Sequence, residues 1–216
     1  MRNFITHEWF TVFTIVGIIA ITLAKYLSSL RFNDFLWVIG NSKYLKIYSK
    51  DQKFIDPFDG FLFLNLALSA SIFIHFSYST FVAPLEFELI FYLKLFFAVA
   101  VVVLIKTLLE RLIGSLFDID AIVDGYLFQK ITFLNYSGFI FLAANLLLLY
   151  TSEYHKIIII TSFSLILLIN LIAFATSFKN YQKTINPNLF YFLLYLCALE
   201  IAPYVLLYKV IMEYNV

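Results

Sequence analysis

Six long apolar runs constrain this sequence more than any other feature. An α-helix rises about 1.5 Å per residue, so about 20 apolar residues cross the ~30 Å hydrocarbon core of a bilayer. Each run reaches that length, in a chain of 216 residues of which 62% are hydrophobic and 13% charged. We therefore predict six spans, at about 9–30, 58–81, 89–112, 131–150, 157–178 and 189–210.

A soluble fold is excluded by the amount of apolar surface. Soluble domains are about 45–50% apolar and about 25% charged, and a folded monomer still exposes much of its area. The spans must be helices, because unpaired backbone groups are too costly in lipid and the runs are too long for the ~10-residue strands of a barrel. The sequence predicts an all-α bundle in which residues 1–216 form one polytopic membrane domain.

Helix start signals agree with these boundaries. Asp56 and Pro57 precede the second run, and Asn186 and Pro187 precede the sixth. Asp and Asn are favoured N-cap residues, and proline is tolerated in the first helical turn. Both runs are therefore predicted to begin directly after these pairs.

The distribution of Lys and Arg predicts the orientation, because short cytoplasmic loops are enriched in both. With the N-terminus outside the cytoplasm, 11 of the 15 basic residues face the cytoplasm and 4 face outward. The opposite orientation would invert this ratio. Six crossings then place the C-terminus outside as well. The 11 are Lys25, Arg31, Lys43, Lys46, Lys50, Lys53, Lys106, Arg111, Lys130, Lys179 and Lys183, and the 4 are Arg2, Lys94, Lys156 and Lys209.

The longest segment between predicted spans is 31–57, on the predicted cytoplasmic face. It opens with an aromatic stretch that includes Phe32, Phe35 and Trp37, and it continues with basic residues. Basic residues beside a span attract anionic headgroups at about 1 kcal/mol each. We expect an interfacial loop that lies along the membrane, with docking of a cytoplasmic partner as the alternative. The basic residues available for either role are Lys43, Lys46, Lys50 and Lys53.

Glu200 is the strongest functional candidate among single residues. It lies near the middle of the sixth predicted span, three residues before Pro203. A charge at that depth costs about 2.5–3.5 kcal/mol on insertion scales, so a carboxylate there calls for a function or a partner. Glu200 either binds a proton or cation, or it pairs with Lys94, Lys106 or an asparagine of a neighbouring helix.

Four asparagines lie in the second, fourth and fifth predicted spans. Interhelical hydrogen bonds of this kind average below about 1 kcal/mol in membranes and commonly hold helices together. Lining a path for a polar substrate is the alternative role. With Glu200 they form the candidate intramembrane polar site: Asn65, Asn135, Asn145 and Asn170.

No motif indicates catalysis, a metal or a cofactor. We name no catalytic residue and expect no metal or cofactor, and enzymatic activity is disfavoured but left open. The single cysteine, Cys197, excludes an internal disulfide and any CxxC pair. The three histidines are scattered. The acidic stretch 118–124 lacks a third oxygen ligand and the bidentate Glu of an EF-hand, so we expect a solvated loop there. A net charge of +1 gives no reason to expect nucleic acid.

Three stretches, 41–60, 127–139 and 198–209, resemble an uncharacterised family of Bacteroidota inner-membrane proteins that is known only as a domain of unknown function. The resemblance covers nearly the whole chain and implies a polytopic inner-membrane protein of a Gram-negative cell. It implies no activity and no catalytic residues. The residues that carry it most distinctively are Pro57, Lys130, Tyr136, Glu200 and Pro203.

The leading functional hypothesis from the sequence is a non-enzymatic membrane subunit or scaffold of an envelope assembly. It rests on the absence of catalytic motifs and on the basic, aromatic cytoplasmic segment. A small proton- or ion-coupled transporter that uses Glu200 is the first alternative, and a membrane-embedded lipid-modifying enzyme is the second. The expected partners are the lipid bilayer of the inner membrane and other membrane proteins, and the oligomeric state is left open.

Overall fold

The computed structural model describes residues 8–40, 43–49, 56–116, 120–151 and 154–185. The sixth predicted span, with Glu200, lies outside these ranges. Helices are the only regular secondary structure within them. They are α1 (Glu8–Leu27), α2 (Ser29–Leu36), α3 (Lys43–Tyr48), α4 (Pro57–Phe81), α5 (Leu89–Leu116), α6 (Asp120–Tyr150) and α7 (His155–Ile185).

Five of the helices are long and apolar enough to cross a membrane, which confirms the all-α, multi-pass fold. They correspond in order to the first five predicted spans. The largest difference is at α6, which begins at Asp120, whereas a loop was predicted over 118–124. An acidic residue in the first turn favours a helix start by complementing the helix dipole. The five spans are Glu8–Leu27, Pro57–Phe81, Leu89–Leu116, Val123–Tyr150 and His155–Ala173.

Helix α4 lies at the centre of the described bundle. Thirteen of its 25 residues are buried, and it packs against α6, α1 and α5, while α6 also packs against α7. The helix begins as the sequence predicted. The Asp56 side chain accepts a hydrogen bond from the Phe58 backbone N–H at 3.0 Å, and Pro57 is the first helical residue.

The long helices run in alternating directions, which gives the bundle two distinct ends. At the His75 end, the Phe10 ring lies 4.9 Å from the His75 ring and 6.1 Å from the Tyr92 ring. At the opposite Arg31 end, α2 and α3 cover the bundle. The Arg31 end is the one that the charge distribution predicts to be cytoplasmic.

The aromatic stretch that was predicted to lie at the membrane interface forms α2 and its C-cap, and only some of its side chains are exposed. Phe32 and Phe35 are buried in the core, next to Tyr44 of α3, whereas Trp37 is 74% exposed. Helical spacing explains the division, because residues three apart share a face and Trp37 lies on another. Only part of the predicted interfacial segment is therefore available to lipid or a partner.

Candidate functional site

The Asn65 side chain lies where α1, α4 and α6 meet. It is fully buried. A Cβ atom at Gly17 of α1 would lie 2.9 Å from the Asn65 Oδ1, and one at Gly138 of α6 would lie 3.0 Å from the Nδ2. The two glycines therefore make the room that the amide occupies. Small residues allow membrane helices to approach closely, and here they admit a polar group into the contact.

Hydrogen bonds extend this polar contact along α4 and α6. Ser69 Oγ donates to Asn65 Oδ1 at 3.3 Å, and Asn145 Nδ2 donates to the Ser69 backbone carbonyl at 2.7 Å. Asn135 lies three residues before Gly138 on α6 and is also fully buried. Asn65, Ser69, Asn135 and Asn145 are called the asparagine seam below.

The fourth predicted asparagine lies outside the seam. Asn170 of α7 is half-buried, and its Nδ2 donates to the Ile166 carbonyl at 2.8 Å and to Ser137 Oγ of α6 at 3.3 Å. This amide joins two helices in the way that interhelical asparagines commonly do. The structure thus joins Asn65 and Asn145 through Ser69, places Asn135 further along the same helix as Asn145, and leaves the fourth asparagine at another interface.

The seam contains amide atoms with unmet hydrogen-bonding capacity. The seam atoms without a partner in the described part of the chain are Asn65 Nδ2, Asn135 Nδ2 and Oδ1, and Asn145 Oδ1. Most buried polar groups in proteins are paired, and an unpaired one costs about 1–3 kcal/mol. Four such atoms in one seam mark it as a candidate polar site.

A buried ion pair that was not predicted from the sequence joins α5 and α6 near the Arg31 end. Lys130 Nζ donates to Glu110 Oε1 at 2.5 Å, and Glu110 is fully buried. One signal was available, since Glu110 is the only acidic residue within 89–112. Its partner depends on the register of α5 against α6, which hydropathy does not reveal. We expect this pair to help specify that register.

Arg31 forms a second polar cluster, with acidic and aromatic residues of α3 and α4. Its Nη2 donates to Asp59 Oδ2 at 2.8 Å, its Nη1 pairs with the Asp56 carboxylate, and its Nε donates to the Tyr44 hydroxyl at 3.2 Å. The guanidinium carbon also lies 4.5 Å from the centre of the Phe58 ring. Arg31 therefore faces the bundle, where it ties α2 and α3 to the start of α4.

The surroundings of Arg31 and Tyr44 hold each side chain in one protonation state. Burial lowers the pKa of Arg31, but the electrostatic effects of Tyr44 and Asp59 and the hydrogen bonds to Asp56 and Tyr44 outweigh it and raise the pKa above its ordinary value. Burial raises the pKa of the Tyr44 hydroxyl. Arg31 thus stays cationic and Tyr44 stays neutral near neutral pH. The cluster is suited to holding the fold together.

The structure describes two of the four predicted interfacial lysines. Lys43 Nζ lies 3.2 Å from Asp34 Oδ1 in an exposed pair, and Lys46 is exposed one turn later. Lys50 and Lys53 lie outside the described residues, as Glu200 does.

The two described histidines, His75 and His155, lie at the opposite end of the bundle. The first is a packing group and the second is within hydrogen-bonding distance of a backbone carbonyl. His75 is buried against the rings of Phe10 and Phe87, and His155 Nε2 lies 3.0 Å from the Leu148 carbonyl oxygen. Within the described ranges, no three His, Cys, Asp or Glu side chains are grouped closely enough to hold a metal ion.

Helix α5 lies at the edge of the bundle and presents a groove to its surroundings. Only Tyr92, Glu110 and Gly114 are buried among its 28 residues. The groove is shallow and open, with a volume of about 510 Å³, and its one charged residue, Lys94, is exposed. No acidic side chain of the described residues forms an ion pair with Lys94. The lining residues are Ile90, Leu93, Lys94, Phe97, Ala98 and Val101.

Comparison with known families decides the classification. Residues 10–211 match DUF4271, a domain of unknown function. The chain belongs to the DUF4271 family. The match confirms the resemblance to an uncharacterised domain family, while the assignment to Bacteroidota stays a prediction. No curated protein and no solved structure matches the chain.

Three residues that carried the resemblance to this family have defined places in the fold. Pro57 opens α4, and Lys130 forms the buried pair with Glu110. The Tyr136 ring packs 5.7 Å from the Phe35 ring, between α6 and α2. Lys130 and Tyr136 contact neighbouring helices, Pro57 begins a helix, and none of the three belongs to the asparagine seam.

Proposed function

We propose that the chain is a non-enzymatic, multi-pass subunit of an inner-membrane assembly, held to a neighbouring membrane protein through α5. The observation that carries this proposal is the exposed Lys94 in the apolar groove of α5. The partner that fits the groove is a transmembrane helix with an Asp or Glu at the depth of Lys94.

The apolar face of α5 alone does not require a protein partner. Lipid tails are as apolar as Leu, so an exposed apolar helix is stable in a bilayer without one. Lys94 makes the difference. It lies five residues into α5, at a depth of about 7.5 Å along the axis, and its ammonium must reach the headgroups or meet an opposite charge. A carboxylate on a partner helix would neutralise Lys94 and fill the groove at the same time.

The experiment is purification of the tagged full chain from native membranes in mild detergent. A membrane protein should co-purify with the parent and with Lys94→Arg, and it should be lost with Lys94→Glu. Replacing the facing carboxylate of the partner with Lys should restore the complex with the Lys94→Glu chain. The proposal fails if Lys94→Glu changes no interaction, or if only bound lipid responds to it.

We further propose that the Arg31 end faces the cytoplasm and contacts anionic headgroups through Lys43, Lys46, Lys50 and Lys53. The exposed Trp37 on the α2–α3 side and the exposed Lys46 support this placement. Arg31 contributes little to such contacts, because its side chain is 15% exposed and paired.

The two tryptophans allow a matched test of this contact. Trp37 is 74% exposed near the lysines, and Trp9 is 48% exposed at the opposite end. The Trp9→Phe variant leaves Trp37 as the only tryptophan. In vesicles, brominated phosphatidylglycerol should quench the fluorescence of Trp37 more than brominated phosphatidylcholine does, because the lysines concentrate anionic lipid. Trp9 (in Trp37→Phe) should show no such preference. Replacing the four lysines with Gln should abolish the difference, and equal quenching of Trp37 by both lipids would refute the contact.

A small ion- or proton-coupled transporter is the second candidate, and the unmet amide atoms of the asparagine seam favour it. In this hypothesis Glu200 carries the proton or cation. Glu200→Gln keeps the size of the side chain but removes its charge, so it should insert and melt as the parent does while abolishing ion-dependent uptake in proteoliposomes. Uptake that is unchanged in this variant across a range of external pH would exclude the role of Glu200.

A further inference from the structure

The asparagine seam follows one face of α6 through the middle of the bundle. Asn135, Gly138 and Asn145 share this face at spacings of three and seven residues. From Asn135 to Asn145 the seam extends about 15 Å, about half the thickness of a hydrocarbon core. Asn65 and Ser69 of α4 face it, and the four polar side chains are each 2% exposed or less.

The protein's own hydrogen bonds fix two of the amides. Asn65 uses its Oδ1 to accept from Ser69, and Asn145 uses its Nδ2 to donate to the Ser69 carbonyl. The remaining ends, Asn65 Nδ2 and Asn145 Oδ1, are thereby directed away from Ser69 and have no protein partner in the described ranges. Asn135 has neither its donor nor its acceptor satisfied there.

The unmet atoms define the chemistry of a ligand. They comprise two amide NH₂ groups, from Asn65 and Asn135, and two carbonyl oxygens, from Asn135 and Asn145. Exchanging the N and O positions of the Asn135 amide leaves this set unchanged. A cation would be repelled by the NH₂ groups and an anion by the oxygens. Water is small, neutral, and both donates and accepts, and buried water typically makes about three hydrogen bonds to such groups.

We propose that the asparagine seam binds ordered water, held by both amide atoms of Asn135, by Asn65 Nδ2 and by Asn145 Oδ1. The bundle thus contains buried water beside α6 at the depth of the membrane core. This inference does not depend on the α5 contact or on any transport activity.

Radiolytic labelling of the full chain in oxygen-free H₂¹⁸O tests the proposal. A hydroxyl radical formed from bound water abstracts hydrogen from an adjacent side chain, and the carbon radical then combines with a second ¹⁸O-hydroxyl radical. Leu66 and Leu142 are the reporters, since both lie beside the glycines that flank Asn65. We expect ¹⁸O on both of them. Ile72 of α4, which is 1% exposed in an apolar cluster, should remain unlabelled.

Two variants show whether the label comes from seam water. Asn135→Leu should abolish the labelling of Leu66 and Leu142. Asn170→Leu should preserve it, because that amide is bonded to protein groups outside the seam. The proposal is overturned if the parent shows no label at either reporter, or if the label persists in Asn135→Leu. If Asn135→Leu does not fold, Asn145→Leu takes its place: loss of the label supports the proposal, and a persistent label overturns it.

Discussion

Gly138→Val should strongly destabilise the packing of α6 against α4. A Cβ atom at this position would lie 3.0 Å from the Leu66 Cα and 3.0 Å from the Asn65 Nδ2. The Leu66 contact is with backbone, so α4 and α6 must separate to relieve it. Overpacking of this kind costs about 1–3 kcal/mol. Thermal unfolding in detergent should therefore show a clearly lower midpoint.

Gly60→Val is the matched control. Gly60 begins the stretch Gly-Phe-Leu-Phe-Leu in α4, and Gly138 begins the similar stretch Gly-Phe-Ile-Phe-Leu in α6. A Cβ atom at Gly60 would meet nothing within 4 Å. Valine has a slightly better helix propensity than glycine, so this variant should melt at or slightly above the parent. Equal melting temperatures for Gly138→Val and Gly60→Val would contradict the close approach of α4 and α6 at Gly138.

Arg31→Gln should have the second large effect. It leaves Asp56 and Asp59, whose side chains are 21% and 24% exposed, without their cation. Removing one partner of a fully buried pair costs about 3–5 kcal/mol. Since these carboxylates keep some access to solvent, we expect a smaller loss of about 2–3 kcal/mol, at or just below the lower limit of that range. Arg31→Lys should recover only part of it, because an ammonium lacks the planar fork that contacts both carboxylates.

The control for Arg31 is Lys43→Gln, which removes an exposed ion pair at the same end of the bundle. The Lys43 side chain is 57% exposed, and exposed pairs contribute at most about 1 kcal/mol. Its midpoint should stay close to that of the parent. Similar losses in Arg31→Gln and Lys43→Gln would show that Arg31 does not hold α2 and α3 to α4.

Hydropathy predicted the long helices because the bilayer sets their length and composition. Asp56 and Pro57 placed the start of α4 correctly, since capping is local chemistry. The short helices α2 and α3 were not predicted. Their formation depends on burying Phe32, Phe35 and Tyr44 against other helices, which is a tertiary effect.

The sequence predicted which residues form the candidate polar site, but it predicted only in part how their side chains are arranged in space. Polar residues are costly in a membrane, so the asparagines could be identified from sequence alone. Asn170 forms its hydrogen bonds outside the seam, and which asparagines lie in the seam depends on helix register. The same applies to the Glu110–Lys130 pair, whose members are 20 residues apart in sequence. Composition and periodicity contain no information on which faces of two helices meet.

Photo-crosslinking in the intact membrane tests the central claim, that α5 binds a partner helix, most directly. A photoreactive amino acid at Phe97, inside the groove, should form an adduct with one discrete membrane protein, and Lys94→Glu should abolish it. The same probe at Leu171, which is 55% exposed on α7, should react with lipid alone. Lipid adducts at both positions, with no protein adduct at Phe97, would contradict the account.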